Sequence, residues 1–257
     1  MIVSDESYVA YERHKILSFL EGKIKERDLY WRNQDFYKNN SIELLLDREV
    51  VELNLNKKKA VFKDRDFVEF DLLLIAAGAK VALPKLPGIQ KEGVVALNGL
   101  KDVKYILDNL PIAHTVIVAG SGHVAEELAR IIAAKKIEVK FLGPMGPAHE
   151  GVDMIPDNPI SEILGDSEAK AVRLVSQKVI GASLVIFPRT EQPNISFIKG
   201  TDIEAVQRIV VDGSMRTNIP FVLAAGDACE FRDKPKVCGW ENAVNEGRLA
   251  GRTICQI

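Results

Sequence analysis

The stretch VIVAGSGHVAEELA at residues 116–129, followed by IEVKFLG, constrains the fold of this chain more than any other part of it. An apolar run, a tight glycine turn, a helix-forming run and a second apolar run make a βαβ unit, whose strands need a parallel sheet around them. Gly120 permits the tight turn out of the first strand, and Gly122 lets backbone approach a pyrophosphate. Ala125 keeps the helix close to the strand, and the helix start presents N–H groups to phosphate. Flanked by both strands, this G-x-G-x-x-A pattern points to a dinucleotide more than to an ordinary glycine turn.

The same plan, an apolar strand ending in glycine, recurs in FDLLLIAAG, which stops at Gly78, and in FVLAAG, which stops at Gly226. An uninterrupted apolar run such as the first is expected of a strand buried on both faces of a parallel sheet. The second delivers Gly226 and Asp227 at a strand's carboxyl end, where open α/β sheets bind ligands. A carboxylate there can accept hydrogen bonds from sugar or ribitol hydroxyls; capping of the next turn accounts for an Asp equally well.

A carboxylate is expected near position 143, at the end of the second strand of the βαβ unit, to bond a ribose 2′-hydroxyl. The sequence places Gly143-Pro144 there, with Glu138 and Lys140 on one face within the strand. No arginine stands there for a 2′-phosphate, so the choice between NADH and NADPH stays open.

Around these motifs, residues 1–5 read as a short strand and 14–39 as a helix-friendly stretch with the clusters Phe19-Leu20 and Tyr30-Trp31. Residues 42–68 (IELLL, VVELNL, KAVFK, FVEF) read as a small β-meander, with Lys57-Lys58-Lys59 tipping a turn. KVALPKLPGIQ reads as a linker, 100–110 as a helix, and 144–160 as a stretch with little helical signal. Short strands return from Ser161, and a helix closes the chain from about Glu241 to Ile254.

With 257 residues, 47% of them hydrophobic and 27% charged, the chain suits one large or two ordinary globular domains. A net charge of −2 predicts no long-range attraction to nucleic acid or membrane. No apolar run approaches the roughly 20 residues that span a bilayer, and MIVSDESYV lacks a signal-peptide pattern. Cys229, Cys238 and Cys255 have no metal-ligand spacing and suit a reducing cytoplasm.

Taken in order, FDLLLIAAGAKVALPKLPG, VIVAGSGHVAEELA and TNIPFVLAAGDACEF resemble the pyridine nucleotide–disulfide oxidoreductase family. The nearest flavour is its NAD(P)H-dependent reductases for rubredoxin, ferredoxin and nitrite reductase. The resemblance implies an α/β fold of two Rossmann-like dinucleotide-binding domains. The FAD domain would be discontinuous, 1–110 and 212–257, without its first βα unit; the NAD(P) domain, 111–211, would be inserted and shortened. The implied cofactors are FAD and NAD(P)H. Hydride would pass from NAD(P)H to flavin, and electrons on to a protein or small acceptor. The implied partner is rubredoxin, ferredoxin or a nitrite reductase subunit, and a homodimer is compatible with the family.

Carried over by position, Asp5 ends the strand whose acid binds the FAD adenosine ribose, and Arg13 falls on the arginine of the family's YxR segment. Val50 lies where backbone contacts the adenine side, and Ala77-Gly78 where the family writes Thr-Gly beside the flavin. Glu127 takes the place of a glutamate near flavin and nicotinamide, and His123 that of an aromatic residue. Asp227 falls on the ribitol-binding aspartate and Trp240 on a contact to the isoalloxazine ring.

Departures from the family are also visible. Its first strand and GxGxxG turn, which hold the FAD pyrophosphate in the middle of that sheet, precede the residues found here; its interface domain follows them. A long helix after Pro144 is lacking, and Thr190 replaces a glycine on the nicotinamide side. No cysteine precedes Cys229, which argues against thiol chemistry. The alternative is a truncated, non-catalytic nucleotide-binding remnant. A single-nucleotide dehydrogenase is a third reading, without an evident His-Asp or Tyr-Lys pair to support it.

Overall fold

The apolar run of the βαβ unit forms the strand Thr115–Ala119, whose side chains alternate between two cores. Val116 and Val118 enter one and Ile117 the other, all three fully shielded from solvent. Each such burial contributes about 1.5–3 kcal/mol, which is why Val116–Val118 are all apolar. The helix His123–Ala134 then carries the chain to Glu138–Leu142, parallel and in register with Thr115–Ala119. Val152–Ile155 extends this sheet on one side, and Leu184–Pro188 and Val94–Leu97 on the other, giving five parallel strands.

In this computed structural model, which describes residues 1–144, 149–188 and 192–256, the chain divides into two compact units. One comprises Glu12–Leu29 and Val81–Thr190, the other Met1–Tyr11, Tyr30–Lys80 and Glu191–Ile257. The first holds the five-stranded sheet. Ile16–Glu21, Leu100–Asn109 and His123–Ala134 bury their apolar stripes with one face of it, through Leu20, Val103, Ile106 and Leu128. The other face packs with the antiparallel sheet Ile160–Leu164, Ala171–Leu174 and Val179–Gly181, through Ile163, Val172 and Ile180.

In the second unit, Ile2–Val3 pairs in parallel with Leu44–Leu45, and Leu73–Ile75 pairs in parallel with Val222–Ala224. Among the described residues no ladder joins these two pairs, which is where the family's first strand is expected. Val50–Asn54, Lys59–Phe62 and Phe67–Glu69 form an antiparallel meander. Ile209–Val211 pairs with Cys229–Phe231, and the helix Trp240–Ile254 follows. Two pairings mark the places where the chain leaves this unit and returns. Tyr11 bridges Tyr30, and Ala79–Lys80 pairs antiparallel with Gln192–Pro193. No helix among the described residues is long and apolar enough to cross a membrane.

Several local expectations are corrected. The stretch 14–39 is not one helical run: Gly22, at φ +90°, ends Ile16–Glu21, and Asn33 caps a separate helix, Gln34–Asn39, by accepting from the Phe36 N–H at 3.1 Å. IELLL leaves the meander because Leu44–Leu45 pairs with Ile2–Val3. Leu73 and Leu74 are only half-buried, since among the described residues their strand has one neighbour. ASLVIF joins the parallel sheet as Leu184–Pro188, its five residues buried. The two units are also divided by packing along the chain. Residues 12–29 and 81–110 pack with the G-x-G-x-x-A strand, and 192–211 pack in the other unit.

Candidate functional site

The twelve candidate residues fall into two groups, one in each unit. Arg13, Gly120, Gly122, His123, Ala125 and Glu127 lie in the unit with the five-stranded sheet; Asp5, Val50, Ala77, Gly78, Asp227 and Trp240 lie in the other.

Gly120 follows the central strand Thr115–Ala119, and its N–H donates to the Leu142 carbonyl at 3.0 Å. A Cβ here would stand 3.0 Å from Pro188 and 3.8 Å from the Ala125 Cβ, so close packing, not an unusual φ, makes this position glycine. Gly122 is different. Its φ is +82°, and a Cβ would meet nothing within 4 Å. The backbone is therefore exposed at the start of His123–Ala134, where the first turn's N–H groups and the helix dipole favour an anion. A dinucleotide pyrophosphate fits this turn. Ala125 is fully buried, while His123 stands exposed as the first helical residue.

The position expected to carry a ribose acid is closed. A Cβ on Gly143, at φ +151°, would lie 1.9 Å from the Gly120 carbonyl oxygen. The absence of a carboxylate is thus built into the packing of the turn. Lys140 pairs with Glu138 at 2.9 Å and with Asp153 at 2.8 Å, away from the strand end. Thr190 lies outside the described residues.

Glu127 makes a two-pronged contact with Arg130 one turn on: Nε donates at 2.9 Å and Nη2 at 2.6 Å. The Arg130 guanidinium holds the Glu127 carboxyl below its ordinary range, against the opposing effect of partial burial. The carboxylate is therefore charged at neutral pH and suited to an electrostatic role. Arg13 donates to the Asn98 carbonyl at 2.7 Å, which ties it into this same unit.

In the other unit, two adjacent parallel strands open at the same edge. Leu73–Ile75 leads to Ala77-Gly78 and Val222–Ala224 leads to Gly226-Asp227, with the Ala225 N–H donating to the Ile75 carbonyl at 2.9 Å. Both glycines have positive φ, and a Cβ on Gly78 would meet nothing within 4 Å. Half-buried Trp240 opens the helix that packs behind the second turn. Asp5 lines an open groove of 590 Å³ with Arg48, Phe62 and Lys80. Arg48 is held by Asp64 at 2.8 Å and Asp66 at 2.7 Å, and lies 4.4 Å over the Phe62 ring. Val50 is half-buried at the start of the meander beside it.

Three residues bearing on this edge escaped the sequence reading. Glu246 Oε2 accepts from the Gly226 N–H at 2.8 Å, and both Glu246 oxygens accept from Lys236 Nζ, at 2.7 and 2.8 Å. Arg208 Nε donates to the Asp227 carbonyl at 3.1 Å. A signal was present: Glu246 shares the buried face of its helix with Ala250 and Thr253, and a carboxylate on such a stripe needs a partner.

The parts fit two dinucleotides unequally. The Gly122 turn has the open backbone a pyrophosphate needs, and the Gly78 and Gly226 turns suit the ribitol end of a flavin. A second glycine-rich phosphate turn is not among the residues of the strand pairs described above.

Comparison with known proteins agrees with the motifs. The chain is 27% identical over 276 residues to apoptosis-inducing factor 3 of Homo sapiens, covering 97% of this chain and 45% of that protein. It is 26% identical over 291 residues to NADH oxidase of Methanocaldococcus jannaschii, covering 100% of this chain and 64% of that one. The chain thus spans between about half and two thirds of these relatives. The structure of a covalent putidaredoxin reductase–putidaredoxin complex superposes with a TM-score of 0.85 at 20% identity, covering 99% of this chain and 68% of that one, a likeness of fold alone. The family model for pyridine nucleotide-disulphide oxidoreductases matches residues 2–145 and 147–247, and the chain belongs to that family.

Proposed function

We propose that this chain forms the cofactor-binding part of an FAD-dependent NAD(P)H oxidoreductase. By this reading the chain would hold NAD(P)H and FAD for hydride transfer to the flavin, with electrons passed on to a protein or small acceptor. The observation that carries this reading is the edge where Gly78 and Gly226-Asp227 emerge from adjacent parallel strands, together with the open Gly122 turn. In this reading the unit with the five-stranded sheet takes the nicotinamide nucleotide and the other takes FAD.

Bound flavin supplies the redox chemistry, accepting hydride and returning electrons singly or in pairs. The protein's residues bind and orient. The N-terminus of His123–Ala134 receives the nicotinamide dinucleotide's pyrophosphate. Asp227 accepts from ribitol hydroxyls, Asp5 from the adenosine ribose, and Val50 offers backbone on the adenine side. Ala77-Gly78 leaves room for the ring system, and Trp240 contributes an aromatic face. Glu127, kept charged by Arg130, and His123 contribute electrostatics near the nicotinamide, and none of these groups acts as acid or base. A carrier protein is supported as acceptor by the putidaredoxin complex of the structural neighbour.

The missing ladder between the two parallel pairs favours a second reading, a nucleotide-binding remnant without catalysis. The visible spectrum of the purified protein, before and after NADH or NADPH, separates them. A flavin band that bleaches supports the reductase. A colourless protein that takes up no added FAD rejects it for this chain.

A further inference from the structure

The ends of Val222–Ala224 and the residues after it are held by a set of charged side chains that nucleotide binding itself does not require. Gly226 to Ala228 form a single 3₁₀ turn, and its backbone is tied off on the protein side. The Gly226 N–H is taken by Glu246 Oε2 at 2.8 Å, the Gly226 carbonyl by the Cys229 thiol at 3.4 Å, and the Asp227 carbonyl by Arg208 Nε at 3.1 Å. Glu246 comes from the middle of the helix Trp240–Ile254, whose Ala243 would sit 3.7 Å from a Gly226 Cβ. Its counter-charge, Lys236, reaches in from the preceding loop. The side chains are 11% and 5% exposed, so the pair is held away from water.

A buried ion pair is a poor stability device: replacing both partners by neutral groups is often without cost, whereas removing one costs several kcal/mol. Its presence against a turn facing a ligand edge needs another reason. We infer that Glu246 is a positioning residue: its carboxylate, neutralised by Lys236, fixes the Gly226 N–H inward and so sets the Asp227 side chain on the flavin-facing edge. The inference rests on the proposed flavin site. The Gly226 and Asp227 carbonyls belong to the two peptide planes that flank the Asp227 Cα, so with the Gly226 N–H held by Glu246 and those carbonyls held by Cys229 and Arg208, the whole turn is anchored and the Asp227 Cα–Cβ direction with it.

Two double variants of the full chain test it. Glu246→Gln with Lys236→Met removes both charges and keeps a carbonyl oxygen for the Gly226 N–H. Glu246→Leu with Lys236→Met removes both charges and the acceptor. FAD affinity is read by quenching of flavin fluorescence, and amide exchange at Gly226 is read by NMR, with Ile209–Val211 as an internal reference strand. The first variant is expected to bind FAD within about threefold of wild type. The second is expected to bind about tenfold more weakly and to lose protection at Gly226 alone. Glu246→Asp, which keeps the charge and shortens the arm, serves if the leucine variant does not fold, and is expected to weaken FAD binding likewise. Equal FAD affinity and equal Gly226 exchange between the acceptor-retaining and acceptor-removing variants would overturn the inference. If wild-type protein takes up no FAD, the proposed function fails for this chain, and Gly226 exchange alone then decides the positioning role.

Discussion

Placing a methyl group on Gly143 should open the nucleotide-binding turn from beneath. A Cβ built there lies 1.9 Å from the Gly120 carbonyl oxygen, against a normal carbon–oxygen contact of about 3.3 Å. Relief requires the two backbones to part by more than an ångström, which breaks the Gly120 N–H bond to the Leu142 carbonyl and disturbs the Leu142–Ala119 register. Crowding, one lost backbone bond and an unfavourable φ of +151° together cost about 3–5 kcal/mol, a large share of the 5–15 kcal/mol typical of a domain. In urea the unfolding midpoint of Gly143→Ala should drop by about 2 M, followed by circular dichroism. Gly122→Ala is the control. It meets no atom within 4 Å, so only its φ of +82° is penalised, by about 1–2 kcal/mol, while the methyl group occupies the space a pyrophosphate approaches. The expected pattern is a large stability loss at 143 and a small one at 122, with NADH binding weakened at least tenfold by the second. A Gly143→Ala protein within 1 kcal/mol of wild type would refute the packing argument.

Three further outcomes are expected. Arg130→Met should let the Glu127 carboxyl rise back toward its ordinary pKa, measured by NMR titration. Because the folded value is the depressed one, the lost stability is present above the unfolded pKa and vanishes as pH falls through the folded pKa; with side chains 28% and 37% exposed, it stays below about 1 kcal/mol. Cys229, whose thiol burial pushes up to about 12, should resist alkylation at pH 8 while exposed Cys255 reacts, as peptide mass mapping would show; rapid labelling of Cys229 in folded protein would contradict the burial. Supplying an added strand–GxGxxG–helix segment should raise FAD affinity sharply, and equal affinity with and without it would dismiss the unjoined parallel pairs as the weak point.

How legible each element was depended on the range of the contacts that define it. Thr115–Leu142 announced itself because strand, turn, helix and strand are consecutive, and their partners lie within one βαβ unit. Leu44–Leu45 was misassigned to the meander because its partner, Ile2–Val3, is distant in sequence and too short to carry a pattern. The stretch 14–39 kept its helical composition but not its continuity, since Gly22 and Asn33 act through backbone geometry that composition does not display. At the candidate site, the glycines and Asp227 were readable as strand ends. Their supports were not: Lys236, Glu246 and Arg208 converge from a loop, a helix and the start of another strand. The missing ribose acid was visible as a missing letter, but its cause lay in the approach of Gly143 to Gly120.

The pairings at the two exits from the smaller sheets carry a consequence for how such a chain can be rearranged. Tyr11 faces Tyr30 in an isolated bridge, and Lys80 faces Gln192 in a short ladder, so each long excursion begins and ends on paired residues. To the unit left behind, 12–29 and 81–190 are excursions between paired ends, and the entropy of closing a loop grows only with the logarithm of its length. Cutting out 12–29 and 81–190 together and joining each pair of ends by a short turn leaves every ladder of that unit intact. The chain is therefore modular in the manner of a cassette carried on two segments, exchangeable at two joints whose ends the host unit already pairs.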